Sequence, residues 1–372
     1  DLGASSFVFM VEQERATKDS LSNGTVSEES LLHLFVLVHG ICASKHSFDY
    51  WEQQMRDRGH NSWVILKAGS ITEALSCRQQ VNPLIEVKLE SFVDPLVEEV
   101  MEWVWLFAQK GKKLRIHFVC HSLGGVIVRA ALPTLCDRLE KVLSLELGHF
   151  LTLNSPHTGV QKCAFRCSWK RLVRFKMLHK QMTLRDEEQF LLRLADPTDK
   201  GGFLSHLSKF RYRTAVGASR WDAAVPFRSA VICGENPFPL SILPSCFCSS
   251  FCHLDAATGF DNDKKVMLQA RLIGQGSSKR AQRFSSHAKD LEPATRAREN
   301  ERALTSFTSP LLENTCLSTR MLDGLASVGW RRIVYTLHWT GKNPHMISLG
   351  KPQCKWSQQL VELFIDVLEE GM

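Results

Sequence analysis

The stretch FVCHSLGGVIV, residues 118–128, limits the folds open to this chain more than any other segment. An apolar run that leads into a serine, two glycines and a second apolar run predicts a strand, a very tight turn and a helix. Such a turn raises a serine hydroxyl above the end of a parallel sheet, where it can act as a nucleophile. The alternative is an ordinary strand–helix junction without chemistry.

Cys120 stands where the motif Gly-x-Ser-x-Gly has its first glycine. Strand and helix nearly touch at such a turn, so the residues two positions to either side of Ser122 must be small. Cysteine is larger than glycine but still small and apolar, and Gly124 fills the second position. We therefore predict that the turn tolerates Cys120 and that Ser122 is a nucleophile.

Further apolar segments predict a parallel sheet with helices on both faces. Strands are expected at 32–40, 62–69, 114–120, 213–216 and 331–337, and 149–157 is expected to be a strand that runs into a loop. Helices are expected from an N-cap at Asp94 to a stop at Gly111, over 124–135, and at the C-terminus. The apolar face of the last helix is expected to consist of Trp356, Leu360, Leu363, Phe364, Val367 and Leu368.

The length of 372 residues, 44% of them hydrophobic, suits one large α/β domain. We expect a loose lead-in at residues 1–30 and a single domain over 31–372. Within it, residues 160–210 are helical, basic and aromatic, which predicts a cap inserted over the sheet. Residues 271–315 lose apolar periodicity, which predicts a flexible, disordered insertion.

Charge and apolar patterning exclude several function classes. The net charge of +7 arises largely from 162–180 and 279–302, which we interpret as solvated surface, so we expect no nucleic-acid partner. No apolar run reaches membrane-spanning length and no signal peptide is visible. We expect a cytoplasmic protein that can associate with membranes, although the sequence begins at Asp1 rather than methionine.

The twelve cysteines follow no regular framework, which indicates reduced thiols of an intracellular protein. The group of Cys246, Cys248, Cys252 and His253 matches no established zinc spacing. We therefore interpret this group as a thiol-rich loop, and we expect no metal.

A serine nucleophile needs a general base and an acid that orients it, and in α/β-hydrolases they follow in the order Ser, Asp or Glu, His. Asp222 comes just after the strand at 213–216 and is our first choice for the acid, with capping of a short helix as its structural alternative. Asp196 and Asp199 are weaker candidates, because no strand precedes their polar loop.

Two histidines near the last strand are candidates for the base. His338 ends the strand, where a histidine is more often structural, whereas His345 lies in the loop beyond, from which an imidazole can reach Ser122. We predict His345. We interpret two other histidines differently: His39 shapes the loop after the first strand, and His121 braces the turn.

The oxyanion of an acyl-transfer reaction needs two backbone N–H donors. One is expected from Leu123, directly after the serine. The other is expected from Ile41, because Gly40 at the end of the first strand lets the backbone approach closely.

These segments resemble the putative serine esterases of the family called domain of unknown function 676, which are lipase-like α/β-hydrolases. The matching pieces are LVHG (37–40), CHSLGG (120–125), LNSPHTGV (153–160), WDAAVPFRSA (221–230), LDGLASVGWRRIVYTLHW (322–339) and NPHMI (343–347). The likeness covers most of 32–232 and 321–370, while 233–320 match poorly. The family usually has a small residue, most often glycine, at the position of Cys120, and its plant-like members often have A-H-N-x-I where this chain has P-H-M-I.

The resemblance implies an α/β-hydrolase fold without a cofactor, with Ser122 as nucleophile, Asp222 as acid and His345 as base. It also implies lipid esters as the substrate class, and hence a role in lipid metabolism. Five cap side chains either line an acyl pocket or only pack the cap: Phe165, Trp169, Phe175, Met177 and Leu178. Five basic neighbours suit anionic lipid headgroups or a solvated face: Lys170, Arg171, Arg174, Lys176 and Lys180.

Two other functions stay open. An acyl-thioesterase would use the same three residues, so only a substrate panel separates it from an esterase. A non-catalytic binding module of the same fold would be indicated if Asp222 and His345 lay far from Ser122. Neither the particular ester nor the oligomeric state follows from the sequence.

Overall fold

The computed structural model describes residues 31–41, 43–73, 87–109, 113–141, 145–160, 175–219, 222–234, 250–257, 265–272, 310–336, 344–350, 354–370 and 372. Its strands are β1 (Leu32–Val38), β2 (Trp63–Lys67), β3 (Leu114–His121), β4 (Leu145–Leu153), β5 (Tyr212–Ala218), β6 (Ser250–Ala257), β7 (Lys265–Leu272) and β8 (Arg331–Thr336). Its helices are α1 (Asp49–Asp57), α2 (Val93–Ala108), α3 (Leu123–Leu139), α4 (Lys176–Met182), α5 (Phe190–Arg193), α6 (Phe203–Ser208), α7 (Phe227–Val231), α8 (Pro310–Ala326), α9 (Pro344–Ile347) and α10 (Lys355–Glu369).

All eight strands join one sheet in the order β2-β1-β3-β4-β5-β8-β6-β7. The first six run parallel, and β6 pairs antiparallel with both β8 and β7. The prediction of a mostly parallel sheet flanked by helices is confirmed. Because β1, β3, β4, β5 and β8 are parallel neighbours, their carboxyl ends meet along one edge, where open α/β sheets place their functional sites.

Alternation along β1 separates two apolar layers. Leu34 and Val36 lie in a core cluster with α2 and α3, whereas Phe35 and Leu37 lie in a second cluster with α1 and α10. Successive side chains of a strand point to opposite faces, so a strand that is covered on both faces is apolar at most of its positions. Each such side chain stabilises the fold by about 1.5–3 kcal/mol through burial.

Helix α2 begins differently from the prediction. A short 3-10 turn at Leu89–Phe92 runs directly into it, so Phe92 takes the N-cap position that we expected for Asp94. Pro95 then lies in the first turn, where a missing N–H costs no intrahelical hydrogen bond. The helix ends at Ala108, before the predicted stop at Gly111, which lies outside the described residues.

The connection between β4 and β5 contains the short helices α4, α5 and α6, in the region predicted as a helical cap. Phe175 and Leu178 are buried in the same core cluster as α2 and α3, which favours packing over pocket lining for these two. Phe165, Trp169 and the basic residues at 170, 171 and 174 lie outside the described residues.

The antiparallel pair β6 and β7 and the helix α8 were not predicted. The predicted irregular stretch 271–315 overlaps the end of β7 and the start of α8, and residues 273–309 lie outside the described part, as do 1–30.

A row of aromatic rings crosses the sheet from β1 to β5. His33 stacks on His117 with ring centroids 5.2 Å apart, His117 on His149 at 5.4 Å, and His149 on Tyr212 at 4.6 Å. Gly148 makes room for the row, since a Cβ atom there would lie 2.3 Å from the His117 ring. Burial is the largest cause that lowers the pKa of each imidazole, to about 4 for His33, to about 3 for His149, and well below the ordinary value for His117.

This row predicts loss of stability in mild acid. Below about pH 6.5 the unfolded chain binds protons at these histidines while the folded chain does not, so the free energy of unfolding falls as the pH drops towards about 4. Chemical denaturation at pH 7, 6 and 5 should show midpoints that decrease steadily. His33→Phe should reduce this slope, because it removes one of the buried imidazoles. Equal midpoints at pH 7 and 5 would contradict the prediction.

Candidate active site

Ser122 lies on a strained turn between β3 and α3. Its backbone has φ 53° and ψ −127°, a conformation that L-residues adopt only where the surroundings enforce it. Its N–H donates to the Leu153 carbonyl across the β3–β4 pair at 2.9 Å. The turn predicted from FVCHSLGGVIV is therefore present, and the serine stands at the carboxyl edge of the sheet.

Three glycines allow the backbone to close around the serine. A Cβ atom on Gly40 would lie 2.6 Å from Ser122 Cβ, and one on Gly124 would lie 2.4 Å from the Val38 carbonyl oxygen. A Cβ atom on Gly125 would lie 2.4 Å from the hydroxyl of Ser155. Since real Cβ contacts are longer, the ends of β1 and β4 can pack this closely against the turn only with glycine at these positions.

Cys120, the departure from the motif, lies within the core cluster that packs against α2 and α3. Burial raises the pKa of its thiol well above the ordinary value. The thiol therefore stays protonated, and a protonated thiol is a poor nucleophile.

The structure brings Ser122, His345 and Asp222 together. His345 Nε2 lies 2.9 Å from Ser122 Oγ, and His345 Nδ1 lies 3.0 Å from Asp222 Oδ2. The tautomer follows from these partners: Nδ1–H donates to the carboxylate, which leaves the Nε2 lone pair to accept the serine proton. Both the imidazole and the carboxylate are buried.

Asp222 is oriented by its own loop. Its Oδ1 accepts the backbone N–H groups of Ala224 at 2.8 Å and Val225 at 3.0 Å, which leaves Oδ2 for His345. Asp222 follows β5 and His345 lies in α9 after β8, so two neighbouring strands deliver the pair to the same edge.

The other acid and base candidates have different positions. Asp196 accepts the Thr198 N–H and hydroxyl, and Asp199 bonds the Arg193 guanidinium and the Gly201 N–H. Both therefore shape a turn between α5 and α6. His338 lies outside the described residues.

Of the two predicted oxyanion donors, Leu123 directly follows the serine, and Ile41 follows Gly40, where a Cβ atom would lie 2.6 Å from Ser122 Cβ. Within the part of the chain that the structure describes, the N–H groups of Leu123 and Ile41 make no hydrogen bond to another backbone group. His39 Nδ1 donates to the Gly40 carbonyl at 2.8 Å, and His39 Nε2 accepts from Thr72 Oγ1 at 2.9 Å. In a trans peptide the N–H points opposite to the C=O, so the Ile41 N–H points away from His39.

The SPHTG stretch after β4 has a structural role that sequence reasoning did not recognise. The buried guanidinium of Arg129 donates to the His157 carbonyl at 3.1 Å and to the Leu194 carbonyl at 2.9 Å. His157 in turn bonds Thr152 Oγ1 at 2.9 Å. Arg129 thus ties the helix that begins at the nucleophile to the loop after β4 and to the segment after α5.

Sequence reasoning also missed Asn154 and Tyr335, which contact the backbone around His345. The sequence pointed to them only indirectly, because both lie in segments that carry the family resemblance. His121, predicted to brace the turn, lies directly before Ser122 and bonds the carbonyl of His345.

The structure bears on two further expectations, no metal site and no membrane-spanning segment, only for the residues that it describes. The described residues include no group of three or more side chains that could hold a metal ion, and Cys246 and Cys248 lie outside them. In the described helices, no segment has both the length and the apolar character needed to cross a bilayer.

Comparison with known proteins places the site in a family. Residues 28–235 of the 372 match the model of the family described as "Putative serine esterase (DUF676)". Because this match covers more than half of the chain, the protein belongs to that family. The match includes Ser122 and Asp222 but ends before His345.

Solved structures show only distant similarity. Phospholipase PlaB from Legionella pneumophila is 14% identical, with a TM-score of 0.34 and coverage of 54% of this chain and 43% of that one. Its complex with thio-NAD is 15% identical, with a TM-score of 0.32 and coverage of 52% and 38%. The RedJ thioesterase from the prodiginine biosynthetic pathway in Streptomyces coelicolor is 14% identical, with a TM-score of 0.28 and coverage of 53% and 70%. The chain thus spans less than half the length of the phospholipase, and these similarities assign no substrate.

Proposed function

We propose that this protein is a serine hydrolase that cleaves carboxylic esters, with lipid esters as its substrates. The observation that carries the proposal is the continuous line of hydrogen bonds from Ser122 Oγ through the His345 imidazole to Asp222. A binding module has no need for a strained, aligned serine of this kind. Membership of the serine esterase family supports the same reaction class.

The geometry accounts for each step of ester hydrolysis. Ser122 Oγ attacks the ester carbonyl while His345 Nε2 takes its proton, and the Asp222 carboxylate stabilises the imidazolium that forms. The N–H groups of Leu123 and Ile41 would stabilise the oxyanion. When the tetrahedral intermediate collapses, the bond to the leaving alcohol breaks, and the alcohol receives the proton from His345. Water then attacks the acyl-enzyme by the same route and releases the acid.

The lipid part of the proposal rests on the family resemblance. It also rests on Lys176 and Lys180, both exposed on α4 of the cap, where they could contact anionic headgroups as part of a peripheral membrane contact.

A fluorophosphonate probe tests the proposed reaction. The probe should form a covalent adduct with the wild-type protein, because it captures an activated serine through the same attack that begins ester cleavage. Mass spectrometry of the digested protein should place the adduct on the peptide that contains Ser122. No adduct, or an adduct only on another residue, would sink the proposal.

A substrate panel tests the proposed substrate class. p-Nitrophenyl esters of several chain lengths, phospholipid vesicles and acyl-thioesters should be hydrolysed in parallel assays. Turnover of lipid esters well above that of thioesters supports the proposal. A preference for thioesters would assign the alternative activity at the same three residues.

A further inference from the structure

Hydrogen bonds hold the backbone carbonyl of His345 as well as its imidazole. The Nε2 atom of His121 lies 2.8 Å from the His345 carbonyl oxygen, and the Nδ2 atom of Asn154 lies 3.3 Å from the same oxygen. The His121 ring also packs on the His345 ring, with centroids 4.8 Å apart. All three side chains are buried, so water does not compete for these hydrogen bonds.

The hydrogen bond from His121 to the His345 carbonyl fixes the tautomer of His121. A carbonyl oxygen only accepts, so Nε2 of His121 must carry the proton. Its Nδ1 has no hydrogen-bond partner among the described residues. Burial, together with the nearby His345, holds the pKa of His121 well below the ordinary value. His121 is therefore a neutral donor of one tautomer, and it adds no positive charge beside the imidazolium that would form on His345.

Tyr335 holds the adjacent peptide. Its hydroxyl donates to the Pro344 carbonyl at 2.8 Å and accepts from Asn154 Nδ2 at 2.7 Å. Asn154 also lies 3.3 Å from Ser348 Oγ, and its backbone has φ 50°, a conformation that asparagine tolerates better than most residues. The amide orientation follows from the contacts, because the reverse assignment would set its oxygen against the His345 carbonyl.

We propose that His121 is a positioning residue that locks the general base to the nucleophile, and that Tyr335 supports the same backbone. Two consecutive residues, His121 and Ser122, hold the two ends of His345: its carbonyl and its Nε2 atom. A displacement of the His345 backbone away from the serine would strain both bonds at once. The inference rests on the proposed function, because it assigns how that site keeps its base aligned.

Three substitutions of His121 test the inference. In His121→Gln the side-chain amide can place an N–H near the position of the imidazole Nε2–H. In His121→Asn the amide is one methylene too short, and in His121→Leu the donor is lost. The measurements are kcat and KM on a soluble p-nitrophenyl ester, the rate of fluorophosphonate labelling, and the melting temperature.

We expect kcat of the Leu and Asn variants to fall about 100-fold, with KM within about twofold, because a small displacement of the base slows proton transfer without changing ester binding. The Gln variant should recover most of the lost rate. His33→Leu, which removes a buried histidine from the opposite end of the sheet, should lower the melting temperature and leave kcat unchanged.

Two results would overturn the inference: a Leu variant with wild-type kcat, or a Gln variant that loses as much rate as the Leu variant. If the His121 variants fail to fold, Tyr335→Phe decides, since it removes the hydroxyl that bonds the Pro344 carbonyl. It should lower kcat about tenfold at constant KM, the factor that corresponds to one hydrogen bond of about 1.4 kcal/mol. An unchanged kcat there would also overturn the inference. Failure of the proposed function is distinct, because the wild-type protein would then neither label nor hydrolyse the ester.

Discussion

Ser122→Ala is expected to reduce ester turnover by on the order of 10⁶-fold, to the rate left by substrate binding and the proposed oxyanion donors. The substitution removes one oxygen atom and leaves the turn, the close glycine contacts and the His345–Asp222 bond in place. Labelling by a fluorophosphonate should disappear at the same time. Assays should be run on protein whose melting temperature is within a few degrees of the wild type, so that a loss of rate reports chemistry.

Cys120→Ala is the matched control for the serine variant. It alters the other nucleophile-type side chain of the same turn, whose thiol burial keeps protonated, and it should retain wild-type labelling and turnover. Labelling that persists in Ser122→Ala and disappears in Cys120→Ala would assign the nucleophile to the cysteine and refute the role of Ser122.

Asp222→Asn is expected to lower kcat about 10⁴-fold with little change in KM. The N–H groups of Ala224 and Val225 would bond the amide oxygen and thereby turn the amide nitrogen towards His345 Nδ1. Nδ1 must then accept, which moves the imidazole proton to Nε2, the atom that has to take the proton of Ser122. The variant therefore keeps the shape of the site, but its His345 carries the proton on Nε2 and cannot accept the proton of Ser122.

Asp199→Asn serves as the comparison, because the Asp199 carboxylate bonds Arg193 and the Gly201 N–H in a turn between α5 and α6. Its kcat should stay within a fewfold of the wild type. The assignment of the acid would fail if both variants lost rate equally, or if only Asp199→Asn did.

The central sheet could be predicted because its strands are buried on both faces. Such strands are mostly apolar, as β1 is at every position except His33, and this pattern needs no knowledge of the rest of the chain. The order of Ser122, Asp222 and His345 could be predicted for a similar reason, since each follows a strand whose carboxyl end reaches one edge. The start of α2 was wrong because Phe92 continues a 3-10 turn into the helix, which the Asp94–Pro95 pair does not reveal.

The residues that hold the base could not be predicted. His121 bonds a carbonyl 224 positions further along the chain, and Asn154 reaches the same group across 191 positions. A hydrogen bond between such distant residues depends on how β3, β4 and α9 meet in space. Similarly, the sequence does not indicate which backbone group the hydroxyl of a buried strand tyrosine such as Tyr335 will bond.

The close contacts of Gly40 and Gly124 bear on how relatives of this protein can be found. A search pattern that demands glycine two positions before the serine would pass over this chain, where Cys120 fits into the core at that position. Glycine at the end of the first strand and glycine two positions after the serine are sterically required, since any side chain there meets Ser122 or the β1 backbone. A pattern built on those two glycines would separate chains able to form the turn from chains that merely carry a similar string.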